Sequence, residues 1–124
     1  LTIFLPAISV GLLSTAVLNL NNLRDREEDK VNNKNTLVVK LGSKKAKKYH
    51  YFLIISALVF ALIYVFIDFT SIYQLVFLMA FLPLIKNINT VSKNKIPSEL
   101  DGELKKVALS TFLFAILFSV GQLF

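Results

Sequence analysis

Four long apolar runs, separated by two charged loops and one short turn, set the pattern of this chain. The runs cover residues 1–23, 49–67, 71–88 and 107–124. Each is close to the ~20 residues with which a helix crosses a ~30 Å hydrocarbon layer. In lipid every backbone N–H and C=O must find its partner within the spanning structure, which leaves helices or a closed barrel. No ten-residue alternation of a barrel is visible, so the pattern predicts an all-α polytopic transmembrane bundle of four helices. Pro6 falls early in the first run, where a missing donor is tolerated. Pro83 falls inside the third and predicts a kink.

The polar stretches between the runs, residues 24–48 and 89–106, have their own punctuation. Asn32-Asn33 should end any helix that carries on from the first run. Thr36 is placed to cap a short helix through Leu37–Leu41, Gly42 to stop it, and Ser43 to cap the basic start of the second run. Pro97-Ser98-Glu99-Leu100-Asp101 reads as a start signal for the fourth helix, with Asp101 three residues after Ser98. Residues 24–48 hold nine Lys or Arg and residues 86–106 hold five, while the turn at Asp68-Phe69-Thr70 holds none. The bias of basic residues toward inner loops predicts a multi-pass membrane protein with the long loops cytoplasmic and the short turn outside.

Composition narrows the class further. The 124 residues are 55% hydrophobic with a formal net charge of +6, and the mean hydropathy is +0.63. That excludes a disordered chain and argues against an ordinary soluble domain. Cysteine is absent, so disulfides and thiolate metal sites are excluded. The basic residues lie at span ends, and no nucleic-acid partner is expected. The chain opens directly on an apolar run without a basic leader, and a strongly charged segment follows, which differs from a signal peptide. It reads as part of a longer polypeptide.

The chemistry concentrates where the first run ends, in Asn21-Asn22-Leu23-Arg24-Asp25-Arg26-Glu27-Glu28-Asp29. An ionised Asp at the bilayer centre costs roughly 2.5–3.5 kcal/mol on insertion scales, so acids reached by a spanning helix are functional candidates. At ~100° per residue, Asn22, Asp25 and Asp29 share an arc of about 60°, and Asn19 and Thr15 extend it into the membrane. Arg24, Glu27 and Glu28 point elsewhere, provided the helix continues through Asp29. Residues four apart have Cβ atoms ~5–6 Å apart, so two carboxylates and an amide can turn toward one cation. Mg²⁺ suits such a set, because it takes hard oxygen ligands and completes its shell with water and phosphate. The plain alternative is a solvated helix end, with Arg24, Arg26 and Lys30 pairing neighbouring acids. The amide stripe favours a polar cavity over that alternative.

The segment Asn21–Gly42, NNLRDREEDKVNNKNTLVVKLG, resembles the second aspartate-rich motif of the UbiA superfamily of intramembrane prenyltransferases. Its Asn-Asn-x-Arg-Asp-x-Glu-x-Asp form, with Lys-x-Thr-Leu and Leu-Gly after it, is most similar to the 1,4-dihydroxy-2-naphthoate polyprenyltransferases. The resemblance covers essentially the whole chain. It implies a nine-helix fold around a cavity open to lipid, in which these four helices are the C-terminal part of the domain. It implies Mg²⁺ on Asp25 and Asp29, which are also the catalytic candidates, and a polyprenyl diphosphate held by Asn22, Arg24, Lys34 and Lys40. The resemblance implies that Mg²⁺ and basic side chains neutralise the leaving diphosphate and that the allylic cation alkylates 1,4-dihydroxy-2-naphthoate with loss of its carboxylate, giving demethylmenaquinone, on the cytoplasmic side of the plasma membrane. The family's Gly-Lys-Arg-Thr stands here as Asn33-Lys34-Asn35-Thr36, so position 35 offers no cation. Its first aspartate-rich motif is not in this sequence. That motif is expected in an N-terminal half of the same protein, without which these residues should be inactive.

Other polar residues have plainer readings. Lys44–Lys48 reads as a basic anchor for anionic headgroups, His50 between two tyrosines as an interfacial residue, and Asp68 as the end of an outer turn. Glu99, Asp101 and Glu103 read as favourable charges at a helix start. Phe112, Phe114 and Phe118 read as facing lipid or neighbouring helices, or a groove for an apolar tail. Two rival functions remain open: a superfamily member with another acceptor (4-hydroxybenzoate, haem or a chlorophyll precursor), and a transporter or lipid-binding protein without catalysis.

Overall fold

The computed structural model describes residues 1–124. Five α-helices and two short 3₁₀ turns make up the chain, with no strand: α1 (Phe4–Arg24), α2 (Arg26–Val31), α3 (Leu37–Ile67), α4 (Leu78–Lys93) and α5 (Asp101–Gly121), with 3₁₀ turns at Ile72–Leu75 and Pro97–Leu100. Four of the helical segments are long and apolar enough to cross a membrane, and α2 is a single short turn between the first two.

α1 buries Pro6, Ser9, Leu13, Ala16, Leu20 and Leu23, a spacing of three and four that keeps one stripe turned to a neighbour. Its main partner is α3. The small residues Ala16 on α1 and Ala46, Ala57 and Ala61 on α3 are fully buried. Lipid tails are as apolar as the helices, so association in a bilayer relies on close backbone approach and interhelical hydrogen bonds. Both are present here. Ser9 Oγ donates to the Ala57 carbonyl at 2.8 Å, and Asn19 Nδ2 donates to the Ala46 carbonyl at 3.1 Å.

α3 is 31 residues long and begins at Leu37, well before the apolar run at Tyr49. Thr36 caps it, accepting from the Val39 N–H at 3.2 Å. Gly42 interrupts it at φ 75°, ψ 160°, a conformation that costs little only without a Cβ. The helical rod that spans the membrane therefore starts at Ser43.

The second half is held by aromatic packing. Phe77, Phe81, Phe114 and Phe118 form one cluster with ring centroids 5.5–6.1 Å apart in tilted and edge-on pairs. Such pairs contribute about 0.5–1.5 kcal/mol each beyond burial. Phe112, on the opposite face of α5, is exposed. α5 follows directly on the 3₁₀ turn at Pro97–Leu100; Ile96 stands at the N-cap of the turn and Leu100 at that of α5, so Ser98 caps neither. At its other end Gly121 lies against the turn before α4, where an added Cβ would stand 2.6 Å from the Tyr73 carbonyl oxygen. α1–α3, α4–α5 and α1–α5 are the extensive seams, and α3 meets α4 only lightly.

Candidate functional site

The acidic segment does not run as one straight helix. α1 ends at Arg24, Asp25 sits at φ −90°, ψ 3°, and α2 restarts at Arg26. Two backbone bonds bridge the break, from the Asp25 N–H to the Asn21 carbonyl at 3.0 Å and from the Asp29 N–H to the Asp25 carbonyl at 2.9 Å. Phase counted along a single helix therefore fails beyond Arg24, and the expectation that Arg24 and the two glutamates turn away is corrected.

Arg24 lies along Asp25. Its Nε donates to Asp25 Oδ1 at 2.8 Å and its Nη2 to Oδ2 at 3.1 Å, while Asn21 Nδ2 adds a third bond to Oδ2 at 3.2 Å. The remaining arm, Nη1, reaches Asp101 Oδ1 at 2.9 Å on α5. One guanidinium thus ties the motif to a distant helix in the planar, two-pronged manner that suits arginine. The Arg24 hydrogen bonds hold the Asp25 carboxyl below the ordinary carboxylate range, against a smaller opposing effect of burial, and Lys34 and Asn21 assist.

Around this pair a cleft of about 540 Å³ is lined by Arg24, Asp25, Glu27, Glu28, Pro97, Ser98 and Asp101. Asp29 is not among them. It is 5% exposed, on the buried side of α2, and Lys34 Nζ stands 3.2 Å from its Oδ1. The Lys34 N–H also closes on the Asp29 carbonyl at 2.8 Å, so the Asn32-Asn33 turn folds the lysine back over the acid. Asn22 faces a separate small cavity of about 60 Å³ with Thr15, Asn19, Leu37 and Tyr49. Lys40 is exposed on the first turn of α3 and joins no ion pair. Asp25 and Arg24 are brought together, Asp29 and Lys34 form a second pair, and Asn22 and Lys40 stand apart from both.

The donor chemistry fits a hard cation: the cleft offers carboxylate oxygens and no sulfur or imidazole. No three His, Cys, Asp or Glu residues converge closely enough to enclose an ion by themselves. Mg²⁺ is commonly held by one or two carboxylates plus phosphate and water, so these residues suit a partial shell. An apolar cleft of about 480 Å³ opens between α1 and α5, with Pro6, Val10, Phe114 and Phe118 in its wall.

A buried polar chain escaped the sequence reading. His50 is fully buried rather than interfacial, and its Nε2 lies 2.8 Å from Asn87 Oδ1. Asn87 Nδ2 donates to Glu103 Oε2 at 2.7 Å, and Lys106 Nζ reaches Glu103 Oε1 at 2.5 Å. The chain links α3, α4 and α5. Its signal was Asn87, an amide on the apolar stripe of the third run.

The model of the UbiA prenyltransferase family matches residues 1–99. The 1,4-dihydroxy-2-naphthoate octaprenyltransferase of Escherichia coli is 38% identical over 119 residues, covering 96% of this chain and 39% of that protein. The protein of the same name from Haemophilus influenzae is 41% identical over 121 residues, covering 98% of this chain and 39% of its own length. The chain therefore spans about two-fifths of the length of these relatives. No solved structure matches it.

Proposed function

The chain belongs to the UbiA prenyltransferase family, and from that premise we propose that it forms part of an enzyme moving a polyprenyl group from its diphosphate onto 1,4-dihydroxy-2-naphthoate. The observation that carries this reading is the Asn21–Asp29 segment, a pair of charged carboxylates at the polar end of a spanning helix with basic side chains folded over both. The two similar proteins named for this acceptor support the choice of substrate.

Asp25 and Asp29 would hold Mg²⁺, which when bound neutralises charge on the diphosphate. Arg24 and Lys34 already rest on these carboxylates and supply the nearest mobile cations. Both can turn from carboxylate to phosphate oxygens as the substrate arrives. Lys40 and Asn22 stand apart from both pairs and would join the donor set only as the substrate draws them in. Positive charge brought against the leaving oxygens lowers the barrier to breaking the allylic C–O bond, because it stabilises the negative charge that develops there. The new carbon–carbon bond forms at the ring carbon that bears the carboxylate. Diphosphate and carbon dioxide leave, and the product is demethylmenaquinone at the quinol level. The prenyl tail would lie in the apolar cleft of α1 and α5. The reaction takes place at the cytoplasmic face of the plasma membrane, and the rest of the polypeptide supplies further helices and acids.

The test is prenyl transfer in isolated membranes from labelled diphosphate, with residues 1–124 co-expressed with the N-terminal portion of the polypeptide. Asp25→Asn and Asp29→Asn should each lower transfer by about two orders of magnitude or more, with insertion intact, and the 124 residues alone should be silent. Full activity in Asp29→Asn with loss in Glu28→Gln would move the metal to the cleft carboxylates and overturn the assignment of Asp29.

A further inference from the structure

The lightly packed seam between α3 and α4 opens at its basic end into a second cleft of about 380 Å³, lined by Ser43, Lys44, Lys47, Lys48, Tyr51 and Ser92. We propose that this cleft binds the phosphate of an anionic phospholipid, separately from the acidic segment. Three ammonium groups face one opening and no carboxylate lines it. None of the three is in an ion pair. Lys47 is held across the seam by donating to the Asn94 carbonyl at 2.5 Å, a partner that positions the ammonium without cancelling its charge. Like charges gathered in this way repel one another, and an anion between them removes that cost.

The backbone contributes as well. The Gly42 kink makes Ser43 and Lys44 the first residues of the long rod of α3, so the positive end of its dipole lies at the cleft. A hydroxyl donor is at hand on Ser43, whereas Ser92 spends its proton on the Asn89 carbonyl at 2.7 Å. Farther along α3 the exposed and half-buried side chains suit an acyl chain rather than a soluble ion. Tyr51, Ile55, Leu58 and Leu62 recur at helical spacing on α3, and Leu62 opens a wholly apolar cleft of about 370 Å³ with Val65, Phe66, Phe69 and Leu75. At ~1.5 Å per residue the stripe from Tyr51 to Leu62 is about 16 Å long. One leaflet of a ~30 Å hydrocarbon layer is about 15 Å deep. A phosphate at the lysines would therefore set its tail along an apolar stripe of leaflet length, which a bare phosphate would leave unused.

The experiment places residues 1–124, co-expressed and purified with the N-terminal portion of the polypeptide, in phosphatidylcholine nanodiscs with chain-spin-labelled phosphatidylglycerol or phosphatidylcholine as probe. The immobilised fraction of each is measured by electron spin resonance. Phosphatidylglycerol should be several-fold enriched at the protein. Lys44→Gln/Lys47→Gln/Lys48→Gln should reduce that enrichment to the phosphatidylcholine level. Lys30→Gln/Lys86→Gln/Lys105→Gln, the same charge change away from the cleft, should retain it. The triple Lys→Arg variant of the cleft lysines should also retain it, which separates loss of charge from loss of fold. Equal loss in both Gln triples would reduce the effect to bulk surface charge and overturn the site. Displacement of the probe by millimolar inorganic diphosphate at matched ionic strength would assign the cleft to a soluble phosphate and overturn the lipid.

Discussion

Asp25 and Arg24 carry the most consequential contact at the scale of single residues. With both carboxylate oxygens on the guanidinium and the third arm on Asp101, the ionised form of Asp25 is the favoured one. Its folded pKa lies below the unfolded value, so the contact stabilises the protein fully above the ordinary carboxylate range and is lost only as pH falls through the lower folded value. In metal-free buffer, ¹³C-carboxyl NMR of labelled aspartate should show Asp25 titrating below a free aspartate, and Arg24→Gln should bring its midpoint upward. An unchanged midpoint in that variant would remove Arg24 as the cause. The identity of these residues was legible, because a nine-residue motif is a local signal. Their partners were not, since a change of backbone angles at Asp25 alone re-aims every side chain after it.

At the scale of helices, hydropathy marked the four spans but was silent about what clasps them. The His50–Asn87–Glu103–Lys106 chain joins three helices through side chains on separate spans. His50 was misread because Tyr49 and Tyr51 flank it, although each step along a helix turns a side chain by ~100° and neighbours in sequence face different ways. Interhelical hydrogen bonds in membranes average only about 0.6 kcal/mol. Removing the middle partner is harsher, because a buried group left unpaired costs about 1–3 kcal/mol. Asn87→Leu should therefore destabilise by about 1–3 kcal/mol, seen as a lower midpoint of thermal unfolding in detergent. In a double-mutant cycle with His50→Phe the two losses should fall short of additive. Strict additivity would mean the two side chains do not work as a pair.

For the whole molecule, the number of crossings was readable from the four runs and the expected orientation from where the lysines stand, but the order of packing was not. That α1 seats between α3 and α5 while α3 and α4 barely touch depends on small residues and aromatic rings meeting across helices. Orientation has a direct test, since the chain has no native cysteine. In intact cells an impermeant thiol reagent should label Thr70→Cys and spare Ser43→Cys, because basic loops stay inside. Labelling of Ser43→Cys alone would invert the protein and move its acidic segment to the other face of the membrane.

The close approach of Gly121 to the Tyr73 carbonyl sets an order of assembly. Gln74 is 3% exposed; its Oε1 accepts from the Thr70 N–H at 2.8 Å, and its amide nitrogen donates to the Asp68 carbonyl at 3.0 Å and to Gln122 Oε1 at 2.9 Å. Synthesis runs from the N-terminus, so the turn around Gln74 emerges with its local bonds available and waits for α5 to bring Gln122. The final residues of α5 thus fasten a turn made some fifty residues earlier, on the far side of the membrane from the acidic segment. Ending the chain at Val120 should leave all four spans inserted but unfasten that turn, seen as new cleavage near Phe69 by protease added from outside. Protection equal to the intact chain would mean the turn closes without its latch.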